Sequence, residues 1–259
     1  MTTLSTAKDR IRAVLVVLAT VGTIIFNWLA ATGRVGGVTP GMISDKYPTL
    51  VTPAGYAFSI WSLIYFGLIA FSIYQLLPSN IAKYRNYRQL FIMTCVLNCG
   101  WIFFWHNDRI LVSFVVIIML AVLLFAINFK VTATDNLREY WFVKAPFSIY
   151  FGWVTAATLI NFAVLLSSMN VQLSASAATW LAVGLIFLAT AIGVIVRFKM
   201  TNHLFPLSIA WALTGIGVKQ SGQTLVVTAA AIGTIISLIA VLSVVTQLPA
   251  RGMVNDSNK

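Results

Sequence analysis

The chain reads as an all-α protein, a polytopic transmembrane helical bundle of about eight helices. Three observations carry that reading. Its 259 residues are 59% hydrophobic and only 9% charged, with mean hydropathy +0.91, whereas soluble domains are about a quarter charged. Eight apolar stretches run along it, and all six acidic residues (Asp9, Asp45, Asp108, Asp135, Glu139, Asp256) fall in the gaps between them. The apolar periods are helical or uniform rather than alternating, which argues against a β-barrel.

The stretches are Ala13 to Ala31, Ala54 to Leu77, Leu90 to Trp105, Ile110 to Phe129, Trp141 to Leu166, Ala177 to Val196, Leu204 to Val218 and Thr224 to Leu248. About 20 apolar residues are needed to cross the hydrocarbon core, so the third and seventh are short. A seven-span alternative makes Leu204 to Val218 re-entrant. The first stretch follows Lys8, Arg10 and Arg12 as a signal peptide would, but it is longer than an h-region and holds Asn27 and Trp28. It is read as an uncleaved helix.

The net charge of +11 does not point to nucleic acid, because the cations are scattered singly between spans. With both termini in the cytoplasm, thirteen cations face inward (Lys8, Arg10, Arg12, Lys83, Arg85, Arg88, Lys130, Arg138, Lys144, Arg197, Lys199, Arg251, Lys259) and four outward (Arg34, Lys46, Arg109, Lys219). That is the positive-inside bias of a multi-pass protein of the cell membrane with membrane lipid as its surroundings. The basic gap Pro78 to Arg88 suits anionic headgroups or serves as a topology signal.

Cys95 and Cys99 lie one helical turn apart, poorly placed for a disulfide, and His106 and His203 have no partners for a metal site. Thr32 to Pro53 is the one long loop and reads as a lid or an unstructured connection. After Leu166 the composition shifts from aromatics and Asn to Ala, Ile, Val and Gly, with small pairs Ala189/Gly193 and Ala229/Gly233 at the spacing of close helix contacts. The division expected is a five-helix bundle over residues 1–168 and a three-helix extension over residues 169–259.

Three spans carry polar-aromatic stripes at helical spacing: Ala54, Phe58, Trp61, Tyr65; Thr94, Asn98, Trp101, Trp105; and Trp153, Ala157, Asn161 flanked by Thr158. Trp28, Trp105 and Trp141 fit an interfacial belt, while Trp61, Trp153 and Trp211 lie mid-span. A buried indole wants a partner for its N–H, which Asn98, Asn161 or Thr158 could supply. Such a pocket would take a large, flat, apolar ligand; helix packing with polar contacts between helices accounts for the same spacing.

The run Pro53-Ala54-Gly55-Tyr56-Ala57-Phe58-Ser59-Ile60-Trp61 with Tyr65, the Asn98 to Phe104 segment with Trp101, and Trp153 to Asn161 together resemble the second, third and fifth helices of the tryptophan-rich sensory protein family (TspO/MBR, also called translocator protein or peripheral benzodiazepine receptor). The resemblance covers roughly Ala13 to Leu166. It implies a five-helix bundle, frequently dimeric, that binds porphyrins or similar tetrapyrroles, with no cofactor required, in stress response or tetrapyrrole handling. It places Tyr56, Phe58, Trp61, Tyr65, Asn98, Trp101, Trp153, Ala157, Thr158 and Asn161 at the ligand, under a lid made by the first loop. The chain departs from the family at several points: the Trp expected before the prolines is missing, and the double Phe comes closer to Trp101. Ala54 stands where the second Pro belongs, Phe58 and Trp61 are one residue closer, which turns Trp61 about 100° on an α-helix, and no Tyr-then-basic sterol pattern follows Phe162. A secondary transporter of small hydrophobic molecules is the alternative, although no intramembrane carboxylate offers ion coupling. With no base buried beside a nucleophile, the residues favour binding over catalysis; the resemblance leaves tryptophan-dependent porphyrin breakdown open.

Overall fold

The computed structural model describes residues 6–131, 134 and 136–243. Asp135, Asp256, Arg251, Lys259 and the last residues of the Thr224 to Leu248 stretch lie outside them. Helices and no strands make up the described residues: α1 (Ala7–Ala31), α2 (Pro40–Lys46), a 3-10 turn (Gly55–Ser59), α3 (Ile60–Tyr74), α4 (Pro78–Ile81), α5 (Arg85–His106), α6 (Ile110–Lys130), α7 (Leu137–Glu139), a π-helical segment (Tyr140–Lys144), α8 (Ala145–Ser168), α9 (Ala175–Lys199), α10 (Phe205–Lys219) and α11 (Thr224–Leu242).

Local chemistry sets several helix starts. Thr6 accepts from the Asp9 amide while Asp9 accepts from the Thr6 amide, a reciprocal cap that satisfies two free donors. Thr39 caps α2, with Pro40 in the first turn. Ser174 accepts from the Ala177 amide and starts α9.

Seven helical segments are long and apolar enough to cross a membrane, and α10 is the short one. Its 15 residues extend only about 22 Å. Even so, its two ends meet opposite ends of the bundle. Asn202, just before it, donates to Asn128 Oδ1 at the end of α6 (3.0 Å), and Lys219 at its other end pairs with Asp45 in the first loop (3.2 Å).

α8 is the central helix. Phe147, Trp153 and Val154 are at most 2% exposed, and the helix packs on α3, α6 and α10. Where it touches α3 and α10, glycines permit the approach. A Cβ on Gly67 would lie 2.9 Å from Pro146 Cβ, and one on Gly152 would lie 2.5 Å from the Phe205 carbonyl oxygen. Gly233 of α11 similarly faces Thr190 and Leu213. Packing of this kind does the work between membrane helices, because lipid tails are as apolar as leucine. Large apolar side chains such as Leu18, Phe66, Val96, Val122 and Ile239 point outward.

The basic gap, read as a headgroup contact or a topology signal, is partly helical. α5 begins at Arg85, so Arg88 lies inside a helix and is fully buried, its guanidinium donating to Gln75 Oε1 (2.7 Å) and the Ile81 carbonyl (2.6 Å). Lys83 pairs with Glu139 (2.9 Å) and Arg85 with Asp9 (2.9 Å). These cations serve internal acids, an amide and a helix-end carbonyl. The first loop is also partly ordered. α2 sits in its middle, and Gly33, Gly36 and Gly37 take positive φ on the way to it.

Candidate functional site

Trp61 of α3 is the hub of an aromatic cluster between α3, α5 and α8. It stacks on Tyr65 (5.6 Å between centroids, 20° between planes) and on Trp101 (6.0 Å, 29°), and meets the edges of Tyr150 (5.8 Å) and Trp153 (6.4 Å). Trp101 stacks in turn on Trp105 (6.0 Å, 30°), and Phe58 meets Trp153 edge-on (6.2 Å). Offset and edge contacts at these separations are favourable beyond the area they bury.

The shortened Phe58–Trp61 spacing has a local answer. Residues 55–59 form a 3-10 turn rather than an α-helix. Three residues complete a turn there, so side chains at i and i+3 eclipse. Phe58, near the end of that turn, and Trp61, in the first turn of α3, reach the same neighbour, Trp153.

A cavity of about 540 Å³ opens against this cluster. Phe58, Trp61, Ser62 and Tyr65 form one wall, Ile24, Asn27, Trp28 and Ala31 of α1 another, and Thr39, Pro40 and Gly41 of the first loop cover it. Its volume falls within the roughly 300–1,000 Å³ of drug-sized ligand sites. Behind Trp61 lies a narrow cleft of about 20 Å³ lined by Phe58, Trp101, Trp105, Trp153, Ala157 and Asn161 among others.

The indole donors separate into two groups. Trp101 Nε1 donates to Asn161 Oδ1 (3.2 Å), and Trp105 Nε1 donates to the Pro40 carbonyl (3.1 Å). Trp153 Nε1 is buried and has no hydrogen-bond partner among the described residues. Asn98 accepts from Asn27 Nδ2 (2.7 Å) and donates to the Tyr150 hydroxyl (3.1 Å), which ties α1, α5 and α8 beneath the aromatic rings.

The structure therefore brings Phe58, Trp61 and Tyr65 to the main cavity, and Trp101, Trp153, Ala157 and Asn161 to the cleft behind it. Three expected residues stand elsewhere. Asn98 is committed to the amide–phenol chain below. Thr158 turns back on its own helix and donates to the Val154 carbonyl (2.7 Å), so Asn161 and not Thr158 serves an indole. Tyr56 is 43% exposed and packs edge-on against Trp211 of α10 (5.5 Å), because the 3-10 turn that points Phe58 inward points Tyr56 away. Trp105 is a correction of another kind: it is 3% exposed, a cluster member rather than part of the interfacial belt. Trp28 and Trp141 are 53% and 56% exposed.

The residues of α1 were missed, and the first loop was expected as a lid without its covering residues being named. Asn27 carried a usable signal, a second amide at the depth of Asn98. Pro40 and Gly41 carried none, since only the path of the loop brings them over the cavity.

Two polar contacts fasten the loop at the end of α2. Lys46 forms an ion pair with Asp108, and the Tyr47 hydroxyl donates to Asp108 Oδ1 (2.7 Å). The hydrogen bond from Lys46 holds the Asp108 carboxyl below the usual carboxylate range; burial opposes this, and the Tyr47 hydroxyl reinforces it. Both cysteines are free, and no group of His, Cys, Asp and Glu among the described residues could hold a metal ion.

A family model described as TSPO-like protein matches residues 13–244. The match does not stop at Leu166, where the resemblance in the motifs ended, but continues through α9, α10 and α11. No curated protein and no solved structure matches the chain. With a family match over most of its length and seven helical segments able to cross a bilayer, this chain belongs to the TSPO-like protein family and is a multi-pass membrane protein.

Proposed function

We propose that the protein is a membrane receptor or carrier for a planar hydrophobic ligand of the porphyrin or tetrapyrrole kind, bound against Trp61 beneath the first loop. The observation that carries the reading is the Trp153 indole N–H, buried on the wall of the aromatic cleft with no acceptor among the described residues. A buried donor left unpaired costs about 1–3 kcal/mol, and a ligand carrying a ring nitrogen, carbonyl or carboxylate would remove that cost. The neighbouring cavity of about 540 Å³ has indole and phenol faces for stacking and few polar groups, the composition expected for a flat apolar guest.

The narrow cleft must widen for a ligand to reach Trp153, and rotation of the Trp61 ring is the smallest movement that opens it. Both termini are proposed to be cytoplasmic, with the first loop outside, on the thirteen-to-four distribution of cations. Titration of the protein in lipid nanodiscs with protoporphyrin IX, followed by the porphyrin absorbance, tests the reading. A saturable shift at one site that is lost in Trp61→Ala supports it; no saturable binding sinks it.

A further inference from the structure

The turn that carries Phe58 to the cavity is held from outside the first five helices. Ala54 N–H donates to the Gly215 carbonyl of α10 (2.9 Å), and Trp211 Nε1 of α10 donates to the Ala57 carbonyl (2.9 Å). One turn further, Gln220 Nε2 donates to the carbonyls of Thr49 (3.1 Å) and Thr52 (3.3 Å). α10 also lies against this segment without a gap: a Cβ built on Gly215 would stand 2.8 Å from Ala57 Cβ and 3.1 Å from Pro53 Cβ. Ala57 is fully buried.

These contacts answer a specific need. The first amides of a helix have no partner within it, and within a bilayer there is no water to supply one. At Ala54 the partner comes from α10. The path of residues 55–59 sets where Phe58 stands relative to Trp61 at the start of α3.

We propose that Trp211, Gly215 and Gln220 are positioning residues for the ligand cavity, and that α10, rather than adding a second site, fixes the turn that carries Phe58 and leads into Trp61 of α3. The proposal rests on the ligand-binding reading above, and its test separates the two.

Trp211→Phe keeps the ring and removes the donor; Gln220→Ala removes the loop contacts; Gly215→Ala forces the close approach apart. Each full-length variant is measured in nanodiscs by protoporphyrin IX titration and by hydrogen exchange of the 54–59 amides. Trp180→Phe, on the exposed face of α9, is the control. Loss of one hydrogen bond should weaken binding roughly three- to tenfold and speed exchange at 54–59, with exchange in α5 and α6 unchanged. Weakened binding without faster exchange at 54–59, or faster exchange with wild-type affinity, would overturn the proposal. If the parent protein binds no porphyrin while exchange still rises only at 54–59, the ligand reading fails and the hold of α10 on the turn stands.

Discussion

Trp101 Nε1 lies 3.2 Å from Asn161 Oδ1, a hydrogen bond that joins α5 to α8 directly behind the ring of Trp61. Asn161 spends its amide hydrogen on the Ala157 carbonyl of its own helix (2.8 Å), so its oxygen faces the indole in a fixed orientation. Replacing Asn161 with Leu strands a buried donor. We expect a loss of about 1–3 kcal/mol of stability, seen as a lower midpoint of thermal unfolding in detergent, together with weaker porphyrin binding. An unchanged midpoint would mean that the indole finds another acceptor.

Trp153→Phe should behave in the opposite way. No protein hydrogen bond to Nε1 exists among the described residues, so the ring contact with Phe58 can persist while an unsatisfied donor disappears. Stability of the ligand-free protein is expected to hold or rise, and affinity for protoporphyrin IX to fall roughly tenfold, the equivalent of about 1.4 kcal/mol. A fall in both would show that the indole matters only for packing.

The loop fastening should respond to acid and to salt. Asp108 has its carboxyl held low by Lys46. A depressed carboxylate stabilises the fold above its unfolded value and loses that contribution as pH falls through its folded value. The Lys46 ammonium is held above its ordinary value by the same partner, so its share is present below the ordinary lysine range and lost only as pH climbs through the raised value. The fastening is thus complete at neutral pH. Proteolysis within residues 32–53 should accelerate below the ordinary aspartate range, and at neutral pH in Asp108→Asn. High salt should produce a smaller effect of the same sign, since the pair is exposed.

Two glycines give a contrast in packing. Gly67→Ala places a methyl 2.9 Å from Pro146 Cβ and should cost about 1–3 kcal/mol by overpacking. Gly22→Ala meets nothing within 4 Å and should be neutral or favourable by up to about 1 kcal/mol, because alanine is the better helix former. Equal unfolding midpoints for the two variants would contradict the close contact of α3 with α8.

How much of the site was legible in the sequence can be judged residue by residue. The stripes at helical spacing picked out Trp61, Trp101, Trp153 and Asn161, because a side chain's face on a regular helix follows from its number alone. The stripe also held Trp105, and it was the preference of Trp for membrane interfaces that assigned it to the belt: depth along a helix does not reveal whether a ring faces lipid or a neighbour. Helical spacing could not register that residues 55–59 leave the α-helix, and it was the family resemblance that put Tyr56 at the ligand, where the structure sets it against Trp211. Reading the gap as Pro78 to Arg88 made Arg88 a loop cation, although the helix begins before it and Gln75 and the Ile81 carbonyl enclose its guanidinium.

By itself the sequence determined the all-helical membrane bundle and the chemical character of its interior. Hydropathy and charge act locally: each stretch must satisfy its own backbone and exclude its own carboxylates wherever it sits. The tertiary structure decided which rings meet, which indole N–H is left without an acceptor, and that α10 grips the turn beneath Phe58. Those are relations between segments as far apart as Ala57 and Trp211, and they depend on distances that no local pattern encodes.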